Sequence, residues 1–106
     1  MSARYWIPVV ALAEVAERPV VPVHVDGHDL ALFQVDGQWH ATDNQCSHGS
    51  AWLSEGCLLG HEVECPLHQG RFDVRTGEPT EGPACEALRC YPVRVDERQW
   101  IQVELG

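Results

Sequence analysis

The sequence predicts an all-β fold, a small antiparallel sandwich or barrel of short strands. Three observations predict it. Near the C-terminus Ile101, Val103 and Leu105 alternate with Trp100, Gln102 and Glu104. That period of two gives a strand one apolar face. Runs rich in β-branched and aromatic residues are separated by turn signals at Gly27 and at Asp36-Gly37. Only the short run "ALAEVAE", Ala11 to Glu17, invites a helical turn.

In chain order, "VVPVHV" (Val20 to Val25) and "DLALFQV" (Asp29 to Val35) flank the Gly27 turn. Asp36-Gly37 favours a tight hairpin into "QWHAT", Gln38 to Thr42. From Cys46 to Pro83 the composition shifts toward Gly, His, Cys and Pro. This stretch reads as an inserted lobe of loops on a sheet scaffold, where function tends to sit. "CYPVRV" (Cys90 to Val95) is the expected antiparallel partner of Trp100 to Leu105, across Asp96-Glu97-Arg98-Gln99. There is no internal repeat, low-complexity tract or linker, and 106 residues predict one domain, 1–106.

An apolar content of 44% argues against disorder. Sixteen acidic against seven basic residues give a net charge of −9. Nucleic acid is excluded as a partner, because phosphate binding needs clustered Lys and Arg. An acidic surface suits docking to a basic protein face. No run approaches the roughly 20 apolar residues that span a bilayer, and "MSARYWIPVV" lacks the features of a signal peptide. A cytoplasmic protein with no membrane partner is expected. Five cysteines, an odd count, point to metal ligands or free thiols rather than a disulfide framework.

The chemistry concentrates in two Cys-His pairs, Cys46-Ser-His48 and Cys65-Pro-Leu-His68, with 16 residues between His48 and Cys65. Each pair fits the tip of one loop, and two such loops can face each other across a metal centre. A mononuclear zinc site could use two Cys and two His, but zinc modules usually draw two cysteines from one short spacing and two histidines from another. One of each per loop suits a two-iron, two-sulfide cluster with asymmetric ligation, both thiolates on one iron and both imidazoles on the other.

This pattern resembles the Rieske iron–sulfur proteins. "CSHGSA", "ECPLHQGRFD", Thr76-Gly77, "GPA" at Gly82 to Ala84 and "YPVRV" are similar to the small Rieske ferredoxins of naphthalene-type aromatic-ring dioxygenase systems, over roughly Tyr5 to Leu105. The resemblance implies a Rieske-type antiparallel β-sandwich with a loop-rich cluster-binding subdomain at about 44–83. It implies one two-iron, two-sulfide cluster held by Cys46, His48, Cys65 and His68. It implies a monomeric electron carrier, not an enzyme, between a flavin-dependent, NAD(P)H-oxidising ferredoxin reductase and a terminal Rieske oxygenase.

Respiratory members of the family carry an extra cysteine in each loop, joined as a disulfide. Here those positions read Ser50 or Ala51 and Leu67, so no bridge is expected. Those members also place hydroxyls after the second histidine, where Gly70 and Phe72 stand here. Lost hydrogen bonds to sulfur lower the potential, toward the low end of the Rieske range at about −150 mV. Pro66 and Pro83 are expected to stiffen the loops, and Gly49 and Gly70 to let backbone N–H groups approach the sulfides. The outward edges of His48 and His68, with Leu67, Gln69 and Pro83 around them, are the expected electron exit.

Elsewhere the expectations are plainer. Cys57, Cys85 and Cys90 read as free thiols, buried or partly buried. His24, His28, His40 and His61 read as ordinary strand or loop histidines, and Trp6, Trp39 and Trp100 as core or sheet-face residues. Trp52, four residues after His48, is either a lid over the cluster or an anchor at a docking surface. Competing readings are the Rieske domain of an oxygenase, the small Rieske subunit of a nitrite reductase-type complex, and a zinc-binding interaction module. The first needs a mononuclear iron site for which 106 residues leave no room.

Overall fold

The computed structural model describes residues 3–47, 51–67, 70–81 and 86–106. Three antiparallel sheets form around a shared central layer. The first joins β1 (Tyr5–Ala11), β11 (Trp100–Leu105) and β10 (Val93–Val95) in the order β1-β11-β10. The second joins β2 (Val20–Val25), β3 (His28–Val35), β4 (Gln38–Asp43) and β9 (Cys90–Tyr91) in the order β2-β3-β4-β9. The third is a meander of three-residue strands, β5 (Cys57–Leu59), β6 (Glu62–Glu64), β7 (Arg71–Asp73) and β8 (Pro79–Glu81). One helical turn, α1 (Leu12–Val15), follows β1, and one 3-10 turn (Leu53–Glu55) precedes β5.

Strand β3 of the central sheet is buried on both faces, from Leu30 to Phe33. Leu30 and Leu32 of β3 join one apolar core with Trp39, Tyr91, Ile101, Val103 and Leu105. Ala31 and Phe33, their neighbours on the same strand, join a second core with Leu53, Val63, Phe72, Val74 and Leu88. Alternate side chains of a strand point to opposite faces, so β3 serves both cores. This accounts for the unbroken apolar run "LALF", which does not alternate as a half-exposed strand would.

The two hairpin turns form as the sequence predicts. Asp26-Gly27 and Asp36-Gly37 each hold two successive positive φ angles, 50° and 80°, then 50° and 79°. That pair of angles is the left-handed geometry that suits the strand twist, and it selects Asp-Gly. Registers follow directly, with His24 opposite Asp29 and Val35 opposite Gln38.

Two expectations are corrected, and one strand was not foreseen. "CYPVRV" is not one strand: Cys90 and Tyr91 pair with β4, while Val93 to Val95 pair with β11. Pro92 lacks the N–H that would continue one ladder, and the chain crosses between sheets there. The lobe from Cys46 onward is not loops alone, since β5 to β8 form a sheet of their own. The N-terminal run, read only for the absence of a leader, is the edge strand β1, paired with β11 from Tyr5↔Leu105 to Ala11↔Trp100. Among the described residues no helix is long and apolar enough to cross a membrane.

Candidate metal centre

Cys46 and Cys65 occupy equivalent places. Cys46 lies at the base of a hairpin whose sides are Asn44 to Cys46 and Ala51 to Leu53, bridged at Gln45 and Trp52. Its N–H donates to the carbonyl of Ala51 at 2.9 Å, and Leu53 N–H donates to Asn44 at 2.7 Å. Cys65 follows β6 and precedes β7, and its N–H donates to the carbonyl of Gly70 at 2.7 Å. In both places the cysteine amide bonds to the residue five positions on, closing a loop of four residues, 47–50 and 66–69. The unequal Cys-His spacers therefore sit in loops of equal length. His48 is the second residue of its loop and His68 the third. Both histidines lie outside the described residues, as do Gly49, Ser50, Gln69, Gly82, Pro83, Ala84 and Cys85.

The two cysteines are 3% and 1% exposed and belong to the same apolar core, with Ala31, Phe33, Leu53 and Phe72 around them. Among the described residues Cys46, Cys57, Cys65 and Cys90 form no disulfide. Among the described residues, likewise, no group of three or more Cys, His, Asp or Glu side chains is placed to hold a metal ion. The described half of the predicted ligand set is the cysteine pair. Two buried thiols at the bases of matched hairpins, sharing one water-poor core, fit thiolate ligation of one iron of a two-iron cluster.

Neighbouring side chains hold the hairpin bases. Asn44 is 6% exposed, and all its described polar contacts are used in the fold. Its Oδ1 accepts from Ser54 N–H at 2.8 Å and its own N–H donates to Asp29 at 2.9 Å. Ser47 Oγ donates to the carbonyl of Glu86 at 2.7 Å, tying the first loop to the segment before β9. At the second loop Arg71 Nε donates to Glu64 Oε2 at 3.2 Å, with Glu81 at 3.7 Å and Glu62 at 4.0 Å. Gly56 lets the 3-10 turn press on β6, since a Cβ there would meet the Glu64 carbonyl at 2.0 Å.

Further from the loops, Tyr91 Oη donates to Asp43 Oδ1 at 2.5 Å. Burial, and then this carboxylate, push the Tyr91 phenol up to about 12. The Arg75 guanidinium, hydrogen-bonded to both carboxylate oxygens, holds Asp73 below the usual carboxylate range. Burial and the Arg75 charge lower His40.

The remaining residues fall as follows. Phe72 is fully buried beside the cysteines. Cys57 is exposed, on the edge strand β5, and not buried or partly buried as expected. Cys90 is exposed as a residue, but its thiol lies partly buried toward the Leu88 carbonyl, and burial pushes it up. Trp39 is a core residue, Trp6 carries Arg94 over its ring at 4.2 Å, and Trp100 is 39% exposed. His24, His28 and His40 lie on β2, β3 and β4, and His61 in the turn before β6. Sequence reading missed Asn44, Arg71 and the Tyr91–Asp43 pair. The alternation of Glu62 and Glu64 on β6 could have flagged Arg71, whereas nothing local marks Asn44.

A Rieske [2Fe-2S] domain model matches residues 5–92, and the chain belongs to that family. It is 50% identical over 101 residues to the ferredoxin component of the naphthalene 1,2-dioxygenase system of Pseudomonas putida, covering 95% of this chain and 96% of that one. Among solved structures it is similar to the ferredoxin of carbazole 1,9a-dioxygenase from Nocardioides aromaticivorans. The TM-score is 0.85 at 37% identity, covering 92% of this chain and 95% of that one. It is equally similar to a chain in a complex of reduced oxygenase and oxidised ferredoxin of carbazole 1,9a-dioxygenase, with TM-score 0.84, 37% identity and coverages of 92% and 91%.

Proposed function

We propose that this chain carries single electrons from an NAD(P)H-dependent flavin reductase to the terminal oxygenase of a multicomponent aromatic-ring dioxygenase. One observation carries the reading: two four-residue loops of equal closure, each opening on a buried cysteine, in a chain with a dioxygenase ferredoxin component as a relative at 50% identity. Cys46 and Cys65 would hold one iron, His48 and His68 the other, within a cluster-binding subdomain at about 44–83 of a single domain. When bound, the cluster supplies a one-electron couple. The protein excludes water from the cysteine side, through Phe72, Leu53 and Phe33, and fixes both hairpin bases through backbone hydrogen bonds. A fixed site keeps reorganisation small as charge comes and goes. The chain acts as a cytoplasmic monomer and catalyses no reaction of its own.

The test is reconstitution. Cluster-loaded protein, the P. putida naphthalene 1,2-dioxygenase oxygenase and its flavin reductase are mixed with NADH and naphthalene. Product formation that depends on this chain supports the reading. Product formation indifferent to it overturns the reading.

A further inference from the structure

Trp52 is a large apolar side chain at the base of the first loop, yet it is 40% exposed. Its neighbours Ala51 and Leu53 are 7% and 0% exposed and lie in the second core. Strand alternation therefore turns Trp52 outward. Among the described residues it belongs to neither apolar core. Its mount is rigid. Trp52 bridges Gln45 and is flanked by the Cys46–Ala51 and Leu53–Asn44 backbone bonds, and its carbonyl accepts from Glu55 N–H at 3.0 Å. An exposed aromatic on a fixed platform loses little entropy on contact, the property of an interface anchor.

Trp52 and Asp29 both line two hollows. One, of about 660 Å³, reaches Cys46 and Ser47 and is bordered by Asp29, Asp43, Glu86 and Arg89. The other, of about 410 Å³, is bordered by Asp29, Glu55 and Arg18. Carboxylates outnumber cations around both hollows. The chain has no lysine, and its seven basic residues are all arginine. Arg4, Arg71 and Arg75 are already ion-paired, and Arg89 lies over the Tyr91 ring at 5.0 Å. An indole face within a carboxylate rim recognises a cationic surface, by cation–π contact at the centre and charge attraction around it.

We propose that Trp52 is the residue by which this chain recognises its terminal oxygenase, its indole seating against a basic, hollowed face of that partner beside the Cys46 hairpin. The inference rests on the electron-carrier reading. The oxygenase is chosen over the reductase because a structural relative is found in complex with an oxygenase.

The experiment titrates cluster-loaded wild type, Trp52→Ala, Trp52→Phe and Trp52→Arg into the P. putida naphthalene 1,2-dioxygenase oxygenase by calorimetry. Midpoint potential and the rate of reduction by the flavin reductase are measured beside it. Trp52→Ala should raise Kd about tenfold or more, Trp52→Phe less, and Trp52→Arg at least as much as alanine, by meeting a cationic surface with a cation. Spectrum, midpoint and reductase rate should not change. Equal Kd for wild type and the alanine or arginine variant overturns the proposal, and the arginine variant decides should the alanine variant fail to load its cluster. A shifted midpoint with unchanged Kd assigns Trp52 to the cluster instead, and a loss confined to the reductase step assigns it to that partner. Each contradicts the proposal while wild type still transfers electrons. Wild type that neither binds nor reduces the oxygenase brings down the carrier reading itself.

Discussion

The N–H of Cys65 donates to the carbonyl of Gly70 at 2.7 Å. This bond continues the β6–β7 ladder, in which Glu64 faces Arg71 and Val63 faces Phe72. By the period of two, Val63, Cys65, Gly70 and Phe72 share a face. That face is the second core. The two positions where respiratory relatives place hydroxyls thus lie on the cysteine side of the sheet, and here neither carries one.

Phe72→Tyr should raise the midpoint potential. A hydroxyl donated toward ligand sulfur stabilises the more negative, reduced state. A bond contributing about 1 kcal/mol corresponds to about 40 mV for one electron. Protein-film voltammetry reads it directly. An unchanged or lower midpoint with the cluster intact means that the hydroxyl does not reach sulfur.

Asn44→Ala should destabilise the fold by about 1–3 kcal/mol, because Ser54 N–H loses its acceptor in a buried place. The loss should show in the urea midpoint and in faster release of iron on warming. A variant as stable as wild type would show that Asn44 does not hold the first hairpin.

Tyr91 predicts a loss of stability in alkali. The folded protein keeps the phenol proton up to about pH 12, against about 10 in the unfolded chain. Between those values the folded state binds more protons, so stability is full below pH 10 and falls as pH rises toward 12. Tyr91→Phe should be less stable at pH 7, since Asp43 loses a donor, and should lack this alkaline component. Denaturant titrations across pH compare the two slopes, and parallel slopes would remove Tyr91 as the source.

Salt should slow electron transfer to the oxygenase when this protein is limiting. A net charge of −9 attracts a basic partner over a distance that salt shortens to about 8 Å at physiological strength. Leu67, 54% exposed in the second loop, is placed for close contact. Leu67→Glu should slow transfer and leave the visible spectrum unchanged. Stopped-flow oxidation of the reduced protein tests both, and rates indifferent to salt and to the variant would move the interface elsewhere.

Much of this was legible in the sequence where the signal is local. Asp26-Gly27 and Asp36-Gly37 set the hairpins, because few residues tolerate two positive φ angles. The alternation of Ile101, Val103 and Leu105 marked a one-faced strand, and all three are buried. Pro92 was visible too, but not that the chain changes sheets there, since a proline ends a ladder without naming the next partner. The strands β5 to β8 are three residues long, too short for a period to show against the glycines and prolines between them. The spacing marked Cys46 and Cys65 as a pair but not that both would be buried, 3% and 1% exposed. It gave no hint of Asn44, whose role comes from contacts with Asp29 and Ser54, distant along the chain.

The central claim is that Cys46, His48, Cys65 and His68 hold a two-iron, two-sulfide cluster. Iron and acid-labile sulfide content, measured on alanine variants of these four beside Cys57→Ser, Cys85→Ser and Cys90→Ser, tests it most directly. Wild type and the three serine variants should contain two iron and two sulfide per chain, and the four alanine variants little or none. A full complement in any alanine variant would remove that residue from the ligand set, and wild type holding zinc without sulfide would contradict the account as a whole.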